Sequence, residues 1–236
     1  MAAVTAGIRA ARAIVALDAS SLARAMALVD SLGDSCDFYK VGSELFTAAG
    51  PEAVIAIRQR GHDVFLDLKF HDIPNTVRGA VRSASTLGAS LVTVHASGGA
   101  DMISAAVEGA ATGCRVLAVT VLTSLDARGL SRSWGRDVGA VEDEVLRLAA
   151  LARASGAHGI VCSALEASAV RAAHGDALEL LVPGVRMDLA STDDQARVAT
   201  PAEAIAAGAD YVVLGRAVTA AADPRAAMRR VKEMLR

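Results

Sequence analysis

Two of the three lysines in this chain, Lys40 and Lys69, stand among aspartates at the ends of short β-rich runs, while twenty-one arginines supply the other cations. Arginine is effectively always protonated, so a lysine in a chain that otherwise uses arginine points to a cation able to release a proton. The densest run is Asp67-Leu68-Lys69-Phe70-His71-Asp72-Ile73-Pro74-Asn75-Thr76. Strand residues alternate faces, so Asp67 and Lys69 share one side while Leu66, Leu68 and Phe70 share the other. An acid and an amine fixed together on one face can stabilise a developing charge and then move a proton.

The same alternation recurs upstream. Ile14, Ala16 and Asp18 share a face, as do Phe38 and Lys40, and then Phe65, Asp67 and Lys69; the charged member comes last each time. These runs belong to eight β-rich segments separated by Ala-rich helical stretches, at 13–18, 37–41, 64–69, 91–95, 115–121, 159–163, 178–183 and 211–215. Strands alternating with helices imply parallel pairing with right-handed crossovers, and eight units are the number that closes a barrel. The expected fold is an α/β chain forming a (β/α)8 TIM barrel, with an open doubly wound sheet as the alternative.

In a barrel, the strand ends carrying Asp18, Lys40, Asp67 and Lys69 meet at the C-terminal mouth, where barrel enzymes build their sites. Asp72, just past the third strand, either joins them or reaches a neighbouring subunit. One charged strand end can simply meet water. Two lysines and three carboxylates at one mouth cost desolvation that ion pairing often fails to recover, which favours a chemical role.

Helix punctuation supports the same layout. Leu22, Met26 and Val29 keep helical spacing after Ser20 and Ser21 until Gly33, and Val141, Val145 and Leu148 form an apolar stripe opposite Glu142, Asp143 and Arg147. Pro74-Asn75-Thr76 turns into a helix through Val77, Val81 and Ala84 that stops at Gly88. Two longer polar connections, 123–139 and 186–200, fall at the catalytic end, where either a lid or a plain solvent-exposed excursion fits.

Composition narrows the function classes. With 236 residues, 53% hydrophobic, the chain has enough apolar material for one barrel domain spanning residues 1–236. A net charge of -2 with scattered cations argues against a nucleic-acid surface. Cys36, Cys114 and Cys162 show no ligand-like spacing, as expected of reduced, buried thiols in a cytoplasmic protein. No signal peptide or membrane span is read, and no His, Cys and carboxylate spacing demands a metal. His71 is expected to hydrogen-bond or cap rather than catalyse. His62 and His174 are expected at the surface, and His95 either lines the pocket or serves structure. Gly98 and Gly99 are expected to form a tight turn.

The ten-residue run from Asp67 to Thr76 resembles, without departure, the signature of the orotidine 5'-phosphate decarboxylases. Ile14-Val15-Ala16-Leu17-Asp18, Tyr39-Lys40-Val41-Gly42, Val121-Leu122-Thr123-Ser124, Pro183-Gly184-Val185-Arg186 and Leu214-Gly215-Arg216 resemble its other landmarks in order. The resemblance spans nearly the whole chain. It implies cofactor-independent decarboxylation of orotidine 5'-monophosphate (OMP) to UMP, with Lys69 protonating C6 of the pyrimidine, Asp67 beside the substrate carboxylate, and Lys40 and Asp72 completing an alternating charge network.

The resemblance further implies that Asp18 and Lys40 hold ribose hydroxyls, that Thr123 contacts the base, and that Arg186, Gln195, Gly215 and Arg216 serve the phosphate and a lid over 186–200. A homodimer is implied, with Asp72 and Thr76 crossing the interface and Ile73 beside them as a substrate contact. Three alternatives remain. They are a magnesium-dependent sugar-phosphate decarboxylase such as 3-keto-L-gulonate-6-phosphate decarboxylase, a Schiff-base aldolase using Lys69, and a phosphate-binding barrel without chemistry.

Overall fold

The computed structural model describes residues 11–187 and 197–235. The chain opens with β1 (Arg12–Ala16), α1 (Leu22–Leu32), β2 (Phe38–Gly42), α2 (Ser43–Ala49), α3 (Glu52–Gln59), β3 (Asp63–Phe70) and α4 (Pro74–Thr86). It continues through β4 (Leu91–His95), α5 (Ala100–Gly109), β5 (Arg115–Val119), α6 (Ala127–Trp134), α7 (Val141–Ala154), β6 (Gly159–Val161) and α8 (Ala164–His174). The last elements are β7 (Glu179–Val185), α9 (Pro201–Ala206), β8 (Tyr211–Leu214), α10 (Arg216–Thr219) and α11 (Pro224–Met234). The strands pair in parallel in sequence order, and β8 closes on β1, so the sheet is a barrel and the open doubly wound alternative is excluded.

Period-two alternation sorts the apolar residues into two cores. Ile14, Ala16, Phe38, Phe65, Leu91, Leu117, Val161 and Val213 fill the barrel interior. Their chain neighbours Val15, Leu17, Tyr39, Val41, Val64 and Leu66 pack outward beneath the helices. The lower mouth is sealed by polar pairs, among them Arg12 with Asp63 (2.9 Å) and Arg115 with Glu179 (2.7 Å).

Local signals set most helix ends. Pro74 opens α4, Ser21 caps α1 by accepting the Arg24 N–H, and Gly88 takes a φ of 92° just past α4. The 123–139 connection differs from the loop expected, because it contains α6. Asp126 caps that helix by accepting the Gly129 N–H at 2.7 Å, Gly135 ends it in the left-handed conformation, and Leu130 anchors it in the core. The arginines and serines that gave the segment a polar composition lie around a single buried leucine.

Glu144 of α7 ties this excursion to the wall. Its carboxylate, with a side chain 6% exposed, accepts Arg136 Nη2 at 2.6 Å and Arg147 Nε at 2.7 Å. Burial alone would raise this carboxyl, but the hydrogen bonds from Arg147 and Arg136 hold it below the ordinary value. Its stabilising effect is therefore complete above the unfolded carboxyl value of about 4.3 and fades as pH falls through the lower folded value. Glu144→Gln should lower stability at pH 7 by about 1–2 kcal/mol, discounted because both arginines are about half-exposed. Urea denaturation at pH 7 and at pH 4 checks this, and a gap that does not shrink in acid would contradict it.

Candidate active site

At the C-terminal mouth, the last inward-facing residues of β1 to β3 and their continuations form one row of alternating charge. Asp18 Oδ1 lies 3.1 Å from Lys40 Nζ, Lys40 Nζ lies 3.8 Å from Asp67 Oδ2, and Asp67 Oδ1 lies 2.8 Å from Lys69 Nζ. Asp67 and Lys40 are withdrawn, with side chains 11% and 13% exposed, whereas Lys69 is 36% and Asp18 60% exposed. The withdrawn carboxylate thus sits between two ammonium groups, and the outer amine faces open space.

Strand register explains the spacing. Ala16 pairs with Lys40, Lys40 with Phe65, and Gly42 with Asp67, so the charged side chains climb the mouth in steps. Between Leu66 and Phe70 the register against β4 shifts: Leu66 pairs with Val92 and Phe70 with Val94. Four steps of β3 therefore span two of β4, which is a bulge, and bulges re-aim side chains beside active sites. Lys69 sits in it at φ 50°, the one non-glycine residue with positive φ among those described. Such a conformation costs about 1–3 kcal/mol and persists only where the surroundings impose it.

The row borders a cavity of about 850 Å³, large enough for a nucleotide and within the usual range for small-molecule sites. Asp18, Lys40, Asp67, Lys69, Thr123, Arg186, Gly215 and Arg216 all line it. Gly215 would place an added Cβ in open space, so its lack of a side chain keeps room at the wall rather than relieving a clash. Gly42 is the opposite case. A Cβ there would lie 2.8 Å from Lys40 Nζ and 3.6 Å from Asp18 Oδ1. Gly42→Ala should push Lys40 off its two carboxylates and lower kcat/KM by about 10- to 100-fold, the effect of a misplacement near 1 Å. Steady-state kinetics on folded variant decides, and unchanged kcat/KM would show that Lys40 is not held this way.

Asp72, Ile73 and Thr76 do not reach the cavity of their own chain. Past Phe70 the backbone turns outward into α4, Asp72 Oδ1 accepts the Ile73 N–H at 2.6 Å, and Ile73 is 67% exposed. Together with His71, Pro74 and Gly98, Asp72 and Ile73 line a separate shallow groove. Of the two placements open to Asp72, joining the row within one chain is the one not seen. Gln195 and the middle of the 186–200 connection lie outside the described residues.

Histidines depart from expectation in part. His62 packs edge-on against Tyr39 at 5.2 Å, and both His62 and His174 are half-buried rather than fully exposed. His71 does not cap a helix; its ring lies tilted against that of His95, centroids 5.4 Å apart, and His95 is half-buried. Burial, then His71 and Lys69, lowers the pKa of His95 below the ordinary imidazole value. The expected turn at Gly98 and Gly99 is a single 3-10 turn ending in Gly99 at φ 88°. Cys36, Cys114 and Cys162 are free and buried, and burial pushes the Cys162 thiol up to about 12.

The sequence profile described as Orotidine 5'-phosphate decarboxylase / HUMPS family matches residues 11–231. The chain belongs to this family. A protein named orotidine 5'-phosphate decarboxylase from Anaeromyxobacter sp. (strain K) is 56% identical over 220 residues, covering 93% of this chain and 96% of that one. The Paramagnetospirillum magneticum protein of the same name is 49% identical over 230 residues, covering 94% and 97%. A crystal structure of orotidine 5'-phosphate decarboxylase from Lactobacillus acidophilus matches with a TM-score of 0.85 at 36% identity, covering 95% of this chain and 99% of that chain.

Two features of this family member were not singled out from its sequence. Thr93 of β4 is fully buried and touches both Asp67 and Lys69. Its signal was available, since it lies between the inward Leu91 and His95 on a strand predicted to neighbour the Asp67 strand. The other is Arg197, whose Nη1 is 2.5 Å from Glu166 Oε1 and whose Nη2 donates to the carbonyls of Val121 and Leu122 at 3.3 and 3.2 Å. This arginine ties the returning end of the 186–200 connection to the backbone just before Thr123. No local pattern marks it, because its partners lie 31 and about 75 residues away.

Proposed function

We propose that this chain is an orotidine 5'-phosphate decarboxylase, converting OMP to UMP and carbon dioxide in the last step of de novo pyrimidine nucleotide synthesis. The observation that carries the proposal is the row Asp18–Lys40–Asp67–Lys69 at the mouth of a nucleotide-sized cavity, in a chain of this family. Breaking the bond between C6 and the carboxylate leaves an electron pair in the ring plane, where the π system cannot take it up. Stabilisation has to be electrostatic. Lys69 Nζ stands where that charge develops and gives its proton to C6 as carbon dioxide departs, combining charge stabilisation with general-acid catalysis. At about 4 Å, one such charge pair is worth roughly 4 kcal/mol at an effective dielectric near 20.

Asp67 lies beside the departing carboxylate and holds the Lys69 ammonium on target. Asp18 and Lys40 hold the ribose hydroxyls, and Thr123 contacts the base. The phosphate lies at Gly215, Arg186 and Arg216, where the guanidinium groups suit a phosphate fork and the glycine admits close approach. Gln195 joins the phosphate contacts. Binding energy collected there holds the base against the charge row, far from the bond that breaks.

The working unit is a homodimer of single-domain chains. Asp72 and Thr76, with Ile73, face outward at the start of α4 and complete the partner's cavity. An exposed isoleucine beside Pro74 and a shallow groove suits such a contact. Free, buried thiols fit a reducing cytoplasm. No helix among the described residues is long and apolar enough to cross a membrane.

The deciding experiment is an ultraviolet assay of OMP loss with a chelator present. Loss of OMP at an undiminished rate supports the proposal. No loss, or loss only on adding magnesium, would favour a metal-dependent sugar-phosphate decarboxylase. Borohydride trapping of a substrate on Lys69 would favour an aldolase.

A further inference from the structure

We propose that Thr93 is the positioning residue of the charge row, fixing the Asp67 carboxylate and the Lys69 backbone at once through a single hydroxyl. The inference rests on the roles given above to Asp67 and Lys69. Thr93 Oγ1 donates to Asp67 Oδ1 at 2.9 Å and accepts the Lys69 N–H at 3.0 Å. A hydroxyl can do both because it carries one donor and two acceptor sites.

Each bond has a distinct consequence. Asp67 Oδ1 receives both Thr93 Oγ1 and Lys69 Nζ, so the carboxylate is pinned with Oδ2 turned toward Lys40. At the bulge the Lys69 N–H has lost its place in the ladder with β4, and the Thr93 side chain satisfies it instead. Positive φ at Lys69 is thereby held by a neighbouring strand rather than by Lys69 itself. Thr93 is fully buried, so no bulk water competes for either bond. The row thus extends from β1 to β4, and its fourth strand contributes no charge.

Thr93→Val keeps the shape and removes the hydroxyl. It is expected to lower kcat by about 10- to 100-fold, as a misplacement near 1 Å does, with UMP affinity within about threefold of wild type. Thr93→Ser, which keeps the hydroxyl, is expected to recover most of kcat. A kcat for Thr93→Val within about twofold of wild type would overturn the inference. So would a parallel loss of kcat and UMP affinity that Thr93→Ser does not rescue. If Thr93→Val fails to fold, Thr93→Ala against Thr93→Ser gives the same contrast. A crystal structure of the apolar variant separates this inference from the reaction assignment. There Lys69 should leave positive φ and its Nζ should move away from Asp67; an unmoved Lys69 would overturn the role of Thr93 alone. An inactive wild-type enzyme would overturn the reaction and leave the Thr93 geometry standing.

Discussion

Lys69→Ala is expected to reduce OMP turnover by at least about 10⁴-fold while leaving UMP affinity within about tenfold of wild type. The size follows from the two tasks placed on one nitrogen. General-acid catalysis contributes about 10²- to 10⁴-fold, and a charge aimed at a developing anion about 10²- to 10³-fold more. Binding should survive because the residues proposed above to hold the ribose and phosphate, Asp18, Lys40, Arg186, Gly215 and Arg216, line the cavity and are left in place by the substitution. Single-turnover assay with purified variant, paired with UMP titration calorimetry, separates the two quantities. Turnover near the wild-type rate would refute Lys69 as proton donor, and equal losses of turnover and affinity would recast it as a binding residue.

Mixing two inactive variants is expected to restore activity. Asp72→Ala and Lys69→Ala homodimers should each be nearly dead, because every cavity lacks either its amine or the partner's carboxylate. In a two-fold dimer, a mixed pair assembles one cavity with both groups intact and one with neither. Half of randomly re-paired dimers are mixed, so activity should return to about a quarter of the wild-type value. The structural ground is the outward turn after Phe70, which takes Asp72 and Thr76 away from their own cavity and leaves Ile73 exposed. If the mixture stays inactive after unfolding and refolding together, while wild type recovers under the same treatment, the site is not shared.

What the sequence determined by itself rests on spacing within single elements. Alternation put Asp67 and Lys69 on one face of a strand and Lys40 on the inward face of another, and both placements hold in the barrel. Pro74 and Gly88 bracket α4 as their backbone preferences require. Eight repeated strand and helix units sufficed for the closed sheet. These features depend on period and on residue-specific φ, so they can be read a few residues at a time.

Tertiary structure decided whatever depends on neighbours distant in the chain. Asp67 and Lys69 are two residues apart, yet Lys69 takes its left-handed φ where β3 slips against β4 and Thr93 accepts its N–H. The polar 123–139 connection holds the helix α6 with Leu130 buried in the core, and Glu144 gathers Arg136 and Arg147 around it. Arg197 holds the backbone before Thr123 by reaching across the mouth to Glu166 and two carbonyls. Spacing alone fixes which face a side chain takes, whereas register and burial against another strand fix where on that face the charge comes to rest.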